Sequence, residues 1–174
     1  MLESVAERHR GEEVPQAETS LDSKGLALES ALPHVLSDHD AEIARTVNLV
    51  SVVVDSNEIL SVCRLLKTDP TLRFDFLTCL CVVDYSDYMQ VVYHLYSTFF
   101  HHMMTLKANV ETEQPHLSSV TSLWSGADWF ERESHDLFGV LFDGHPNMTP
   151  LLLYEGFEGY PGRRNYDMRE YTEW

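Results

Sequence analysis

The hydrophobic pattern switches period several times along the chain, and each switch marks an element. VNLVSVVVD, from Val47 to Asp55, is β-branched and almost continuous, so it predicts a buried strand. SNEILSVCRLLKTDP follows. Ser56 suits an N-cap, Ile59, Val62, Cys63 and Leu66 fall at helical spacing, and Pro70 closes the segment. FDFLTCLCVVDY (Phe74 to Tyr85), YMQVVYHLYSTFF (Tyr88 to Phe100) and MMTLKANV (Met103 to Val110) predict three more strands, the last two joined by a tight turn. A long helix is predicted from about Ser122 to Phe138, with Gly139 as its C-terminal stop. Upstream, LALESALPHVL predicts a short helix that stops before Pro33.

This order of elements predicts an α+β fold. It is a two-layer domain with a mixed, mostly antiparallel sheet and helices on one face. Residues 1–40 form an acidic tail, flexible to about residue 25, with the short helix after it. Residues 41–145 form the core domain. Residues 146–174, rich in Gly, Pro and aromatics without a clear period, form an irregular C-terminal extension.

Composition narrows the function classes. Hydrophobic residues make up 44% of the 174, enough for a real core. The formal net charge is -16, from 28 acidic and 12 basic residues. Such a chain is repelled by nucleic-acid phosphates and by anionic lipid, so membrane attachment would have to come through protein partners. The acidic start lacks the apolar core of a secretory signal and the basic character of a transit peptide. The expected location is therefore cytoplasmic, with any attachment to a membrane peripheral and through other proteins. Cys63, Cys79 and Cys81 form no C-x-x-C pair and are expected to be buried, inert thiols in a reducing compartment.

The helix and the residues after it read WFERESHDLFGVLFDGHP, from Trp129 to Pro146. Ala127, Phe130, Ser134, Leu137 and Phe138 share one helical face. Asp128, Arg132 and Asp136 are four apart, so one arginine can bridge two carboxylates on the opposite face. That face suits either solvent or a partner. The extension carries Phe142, Leu151 to Tyr154, Phe157, Tyr160 and Tyr166, with Arg163 and Arg164 as a basic spot. It either folds back on its own domain or covers a neighbour, and apolar side chains on an irregular strip favour the neighbour.

The segment resembles the signature of the 30 kDa (C-type) subunit family of respiratory complex I, the NADH-quinone oxidoreductase. The matching residues are Glu131, Arg132, Glu133, Asp136, Leu137, Phe138 and Gly139, then Gly144, His145 and Pro146. LRFDFLTCLCVVDY, VVYHLYS, SVTSLWSGADWFERE and FEGYPGRRNY resemble further family segments in the same order. Two departures stand out. Thr149 and Pro150 occupy the place of two family arginines. The closing element has Tyr160 for His, Gly162 for Leu, Arg164 for Lys and Asn165 for Asp.

The resemblance implies a structural subunit with no cofactor of its own, FMN and iron–sulfur clusters residing on other subunits. The implied partners are the large subunit that shapes the quinone cavity and the small subunit that holds the last cluster. The implied interface residues are Glu131, Arg132, Glu133, Asp136, Phe142, His145, Pro146, Phe157, Tyr160, Arg163 and Arg164. No catalytic or metal-binding residue is implied. The same resemblance leaves open a membrane-bound hydrogenase or related complex with another electron donor.

A different class is a metal-dependent enzyme using His94, His101, His102 and His135 with Glu131. Adjacent His101 and His102 would point to opposite faces of a strand, and no H-E-x-x-H or paired-carboxylate motif supports them. No Gly-rich nucleotide loop is present, so NADH would have to bind elsewhere.

Overall fold

A computed structural model describes residues 21–46 and 48–167. Chain order is α1 (Ser23–Val35), β1 (Ala41–Thr46), β2 (Leu49–Val54), a 3-10 turn (Ser56–Glu58), α2 (Ile59–Thr68), β3 (Phe76–Asp84), β4 (Tyr88–Tyr96), β5 (Met103–Glu111), β6 (His116–Ser118), α3 (Ala127–Phe138) and β7 (Leu141–Asp143). The main sheet has the order β1-β2-β5-β4-β3, and β6 pairs β7 in a second small sheet. Within the main sheet β2 and β5 are parallel and the other pairings antiparallel, which confirms the mixed α+β fold.

Alternation along the strands decides which face is the core. Val50, Val52 and Val54 on β2 are buried, as are Met104, Leu106 and Ala108 on β5 and Met89, Val91, Tyr93 and Leu95 on β4. The core also takes in Leu28 and Leu32 of α1 and Ile59, Val62, Cys63 and Leu66 of α2. Burying each of the large aliphatic side chains contributes about 1.5–3 kcal/mol relative to exposure. α3 packs against edge strand β3.

Several expectations are corrected. The strand expected over Val47 to Asp55 is β2, and a further edge strand, β1, pairs with it. AEIART carries a weak strand signal, because only Ala41 and Ile43 face inward and neither is fully buried. Pro33 does not stop α1, which runs on to Val35; the amide of Leu36 still bonds the carbonyl of Leu32. Buried Leu28, Leu32 and Leu36 hold that last turn in place. The expected flexibility to residue 25 meets an ordered cap from Asp22, whose Oδ1 accepts the Gly25 amide at 2.7 Å. The remainder of that tail, residues 1–20, lies outside the described residues.

The long helix starts at Ala127 instead of Ser122, because turns at Val120 and Trp124 precede it. Cys63 alone of the three cysteines is buried; Cys79 is half-buried and Cys81 exposed on the outer face of β3. No helix among the described residues is long and apolar enough to cross a membrane.

Candidate functional site: the signature helix and its C-terminal strap

α3 ends where the sequence places the stop. Gly139 takes the left-handed conformation, φ 74°, and its amide bonds the carbonyl of His135. The chain then reverses through β7 and returns across α3 as an irregular strap of bends and turns. A Cβ on Gly139 would lie 2.5 Å from ring carbons of Tyr160, so the strap packs where only glycine fits.

The strap is fastened by α3's own polar residues. Oδ2 of Asp136 accepts the successive amides of Leu151, Leu152 and Leu153, at 2.7, 2.8 and 3.2 Å. Burial pushes this carboxyl up, but the three amide donors outweigh burial and hold it below its usual range. One turn earlier, Arg132 donates from Nε to Thr149 O (2.9 Å) and from Nη2 to Pro150 O (3.0 Å). Carboxylate and guanidinium thus grip neighbouring donors and acceptors of one irregular segment. Of the two ion pairs expected for Arg132, the one with Asp128 forms, at 4.0 Å, and the one with Asp136 does not, because Asp136 Oδ2 is taken up by the strap amides.

Farther along, Arg163 Nε donates to Phe138 O at 2.7 Å, a cation on the last carbonyl of α3. The Gly162 amide bonds Leu137 O, and the Arg164 amide bonds Asp84 Oδ2 at 2.9 Å. The amides of Arg164 and Ser86 lower the Asp84 carboxyl below its usual range. Tyr154 packs edge-on against Phe157, which stacks on Tyr166.

Beneath the strap lies a buried polar cluster. Glu131 is fully buried, with Oε2 accepting from the Ser119 hydroxyl (2.7 Å) and Oε1 from the Val120 amide (2.8 Å). Burial pushes its carboxyl up to about 7, against the opposing pull of those two bonds. Burial likewise raises the Cys63 thiol, with Glu131 adding to the effect.

The predicted site residues therefore divide. Glu131, Asp136 and Phe142 are buried in the domain, and the His145 side chain has no exposed surface. Arg132, Phe157 and Arg163 are half-buried; Glu133, Pro146, Tyr160 and Arg164 are exposed. The helical face read as apolar is a mixed one. Ala127, Glu131, Ser134 and Asp136 are the buried positions of α3, while Phe130, Leu137 and Phe138 are half-buried. Ser119 and Asp84 join the site from other parts of the chain, and no periodicity in the sequence marks them. The histidines of the metal reading are dispersed. His102 Nε2 contacts Leu72 O and His135 Nδ1 contacts Val140 O, both through their rings. No group of three or more candidate ligands occurs among the described residues.

The family model described as "Respiratory-chain NADH dehydrogenase, 30 Kd subunit" matches residues 52–172. One of the C-type NADH-quinone oxidoreductase subunits of Rhizobium meliloti (strain 1021) is 38% identical over 128 residues, covering 72% of this chain and 70% of the relative. The C-type subunit of the same enzyme from Rhodopseudomonas palustris (strain TIE-1) is 34% identical over 159 residues, covering 90% and 76%. Among solved structures, a trypsin-resistant fragment of Nqo5 aligns with TM-score 0.58 and 28% identity, over 69% of this chain and 98% of the fragment. A chain of the membrane-bound sulfane sulfur reductase, described as an archaeal respiratory membrane complex, shares the fold. Its TM-score is 0.70 at 23% identity, over 82% of this chain and 86% of that one.

Proposed function

The chain belongs to the 30 kDa subunit family of respiratory-chain NADH dehydrogenases, and from that membership we propose that it is a structural subunit of the peripheral arm of a proton-translocating NADH:quinone oxidoreductase. In this reading it carries no cofactor. FMN and iron–sulfur clusters sit on other subunits, and electrons pass between them without touching this chain. Its work is to hold the large quinone-cavity subunit and the small terminal-cluster subunit in register on the cytoplasmic side of the membrane. Membrane contact comes through those partners, consistent with a net charge of -16.

The observation that carries the reading is the strap. A segment without regular secondary structure is fixed along α3 by three amides on Asp136 and two carbonyls on Arg132. Fixing an irregular segment before it meets a partner removes ordering entropy from the association step. Glu131 and His145 fit the same role from inside, because they set the root of the strap without being exposed.

Thr149 and Pro150, which stand in place of family arginines, contribute their carbonyls to Arg132, so main-chain atoms do the fastening there. The relatives' names favour NADH as donor over the hydrogenase-type reading, since the sulfane sulfur reductase shares only the fold. The test is assembly. Charge reversal of Arg132, or deletion of the residues after His145, is expected to leave the complex unassembled in source membranes. Normal assembly and quinone reduction by a complex lacking that segment would refute the brace.

A further inference from the structure

The residues of the signature that fasten the strap are turned inward, which leaves a different set facing out. On α3, Trp129, Arg132, Glu133 and Asp136 share one stripe by i, i+3, i+4 and i+7 spacing. The strap crosses that stripe and covers Asp136 and much of Arg132. Trp129 remains 60% exposed beside the Arg132 guanidinium, 5.4 Å from ring to cation. From the strap itself Leu152 and Tyr154 stand out, 59% and 72% exposed, although the amides of Leu151 to Leu153 are locked. Large apolar side chains on a rigid backbone are costly to leave in water, and Trp and Tyr are the residues that anchor interfaces.

The charge around this strip decides what covers it. Glu133 and Glu155 are exposed and follow Arg132 and Tyr154 directly in the chain, and Asp128 directly precedes Trp129. Two nearby cations are engaged: Arg132 holds two carbonyls, and Arg163 holds Phe138 O and lies over the Tyr160 ring. The strip is therefore apolar at its centre and acidic at its rim. A second copy of this chain would oppose acid to acid, with a total charge of -16 on each. Anionic lipid and nucleic acid are repelled for the same reason.

We propose that Trp129, Leu152 and Tyr154 form the apolar centre of the docking surface for a neighbouring subunit whose facing surface is apolar with a rim of Lys and Arg. This rests on the brace reading and deepens it. The contact residues are the exposed ones between the signature positions, and the signature positions Arg132 and Asp136 act from behind by fixing their backbone.

The test uses the tagged full-length chain expressed in its source cells, with the complex resolved on native gels. Trp129→Ala with Tyr154→Ser should lower the fraction of tagged chain in the complex about tenfold, the size expected for losing an interface anchor. The melting temperature of the purified variant should stay close to the parent's, since both side chains are mostly exposed and each gives up a single contact, Trp129 with Arg132 and Tyr154 with Phe157. Glu133→Lys with Glu155→Lys should also lower incorporation, and more strongly at low salt. If the double aromatic variant misfolds, the single Tyr154→Ser substitution carries the test. Parental incorporation of the aromatic variants, while deletion after His145 still blocks assembly, would overturn this surface and leave the brace intact. Parental incorporation of the deletion as well would remove both. Dimers of the isolated chain that dissociate on Tyr154→Ser would assign the strip to self-association and overturn the proposal.

Discussion

The carboxylate of Glu131 and the imidazole of His145 lie 4.0 Å apart at the root of the strap, and neither side chain has exposed surface. The Asn147 amide donates to His145 Nδ1 at 3.0 Å, so that nitrogen is bare and the ring proton sits on Nε2. Nε2 in turn donates to the Asp128 carbonyl at 3.4 Å and lies 3.4 Å from that residue's Oδ1. The G-H-P turn is thus tied to α3 by one ring used at both ends.

Burial of Glu131 gives stability a pH dependence. Its carboxyl titrates near 4.5 when unfolded and about 7 when folded, chiefly because of that burial. Between those values the native state keeps a proton that the unfolded chain has released. The contribution is therefore most favourable below the unfolded value and declines as pH rises through the folded one. The span is on the order of 3 kcal/mol. Melting temperatures from pH 4.5 to 8 should fall less for Glu131→Gln than for the parent. Parallel profiles would show that Glu131 does not titrate in this window.

Asp136 has the opposite sign. Although burial opposes it, three amides hold its carboxyl below the usual 3.8, so its contribution is present above that value and lost as pH falls through the folded one. Asp136→Ala should cost roughly 2–3 kcal/mol. Hydrogen exchange at Leu151 to Leu153 should accelerate while the amides of β4 and β5 stay protected. Unchanged exchange at those three residues would mean that the strap is held by other contacts.

Arg132→Lys keeps the charge but cannot donate from a planar fork to two adjacent carbonyls. A loss of about 1 kcal/mol is expected. Limited proteolysis should cut between Pro150 and Tyr154 faster than in the parent. A Lys variant as resistant as the parent would show that charge alone suffices.

Gly139→Ala meets two obstacles, a φ of 74° and the Tyr160 ring 2.5 Å from the new carbon. Left-handed strain alone costs about 1–3 kcal/mol, and the clash adds to it. Adding Tyr160→Ala to Gly139→Ala should recover the steric part in chemical denaturation. No coupling between the two substitutions would separate the ring from the helix stop.

Thiol labelling should discriminate among the cysteines. Cys81 is exposed and should react with a maleimide in the native protein, whereas Cys63 is buried and should react only after denaturation. Native labelling of Cys63 would indicate that the core around α2 opens readily.

Strands β2 to β5, helix α2 and the stop at Gly139 could be read from residue order alone, because burial imposes a period and left-handed backbone favours glycine. The ordered run of matching segments also pointed to the family. The partners of Glu131 and Asp136 were settled only in three dimensions. Ser119 is twelve positions from Glu131 and the strap amides are fifteen to seventeen from Asp136, joined by chain reversals that leave no local pattern. Charged letters on a helix look alike whether they face water or a neighbouring main chain. The difference is made by which segment returns across them, and that depends on the packing of α3 against the sheet edge.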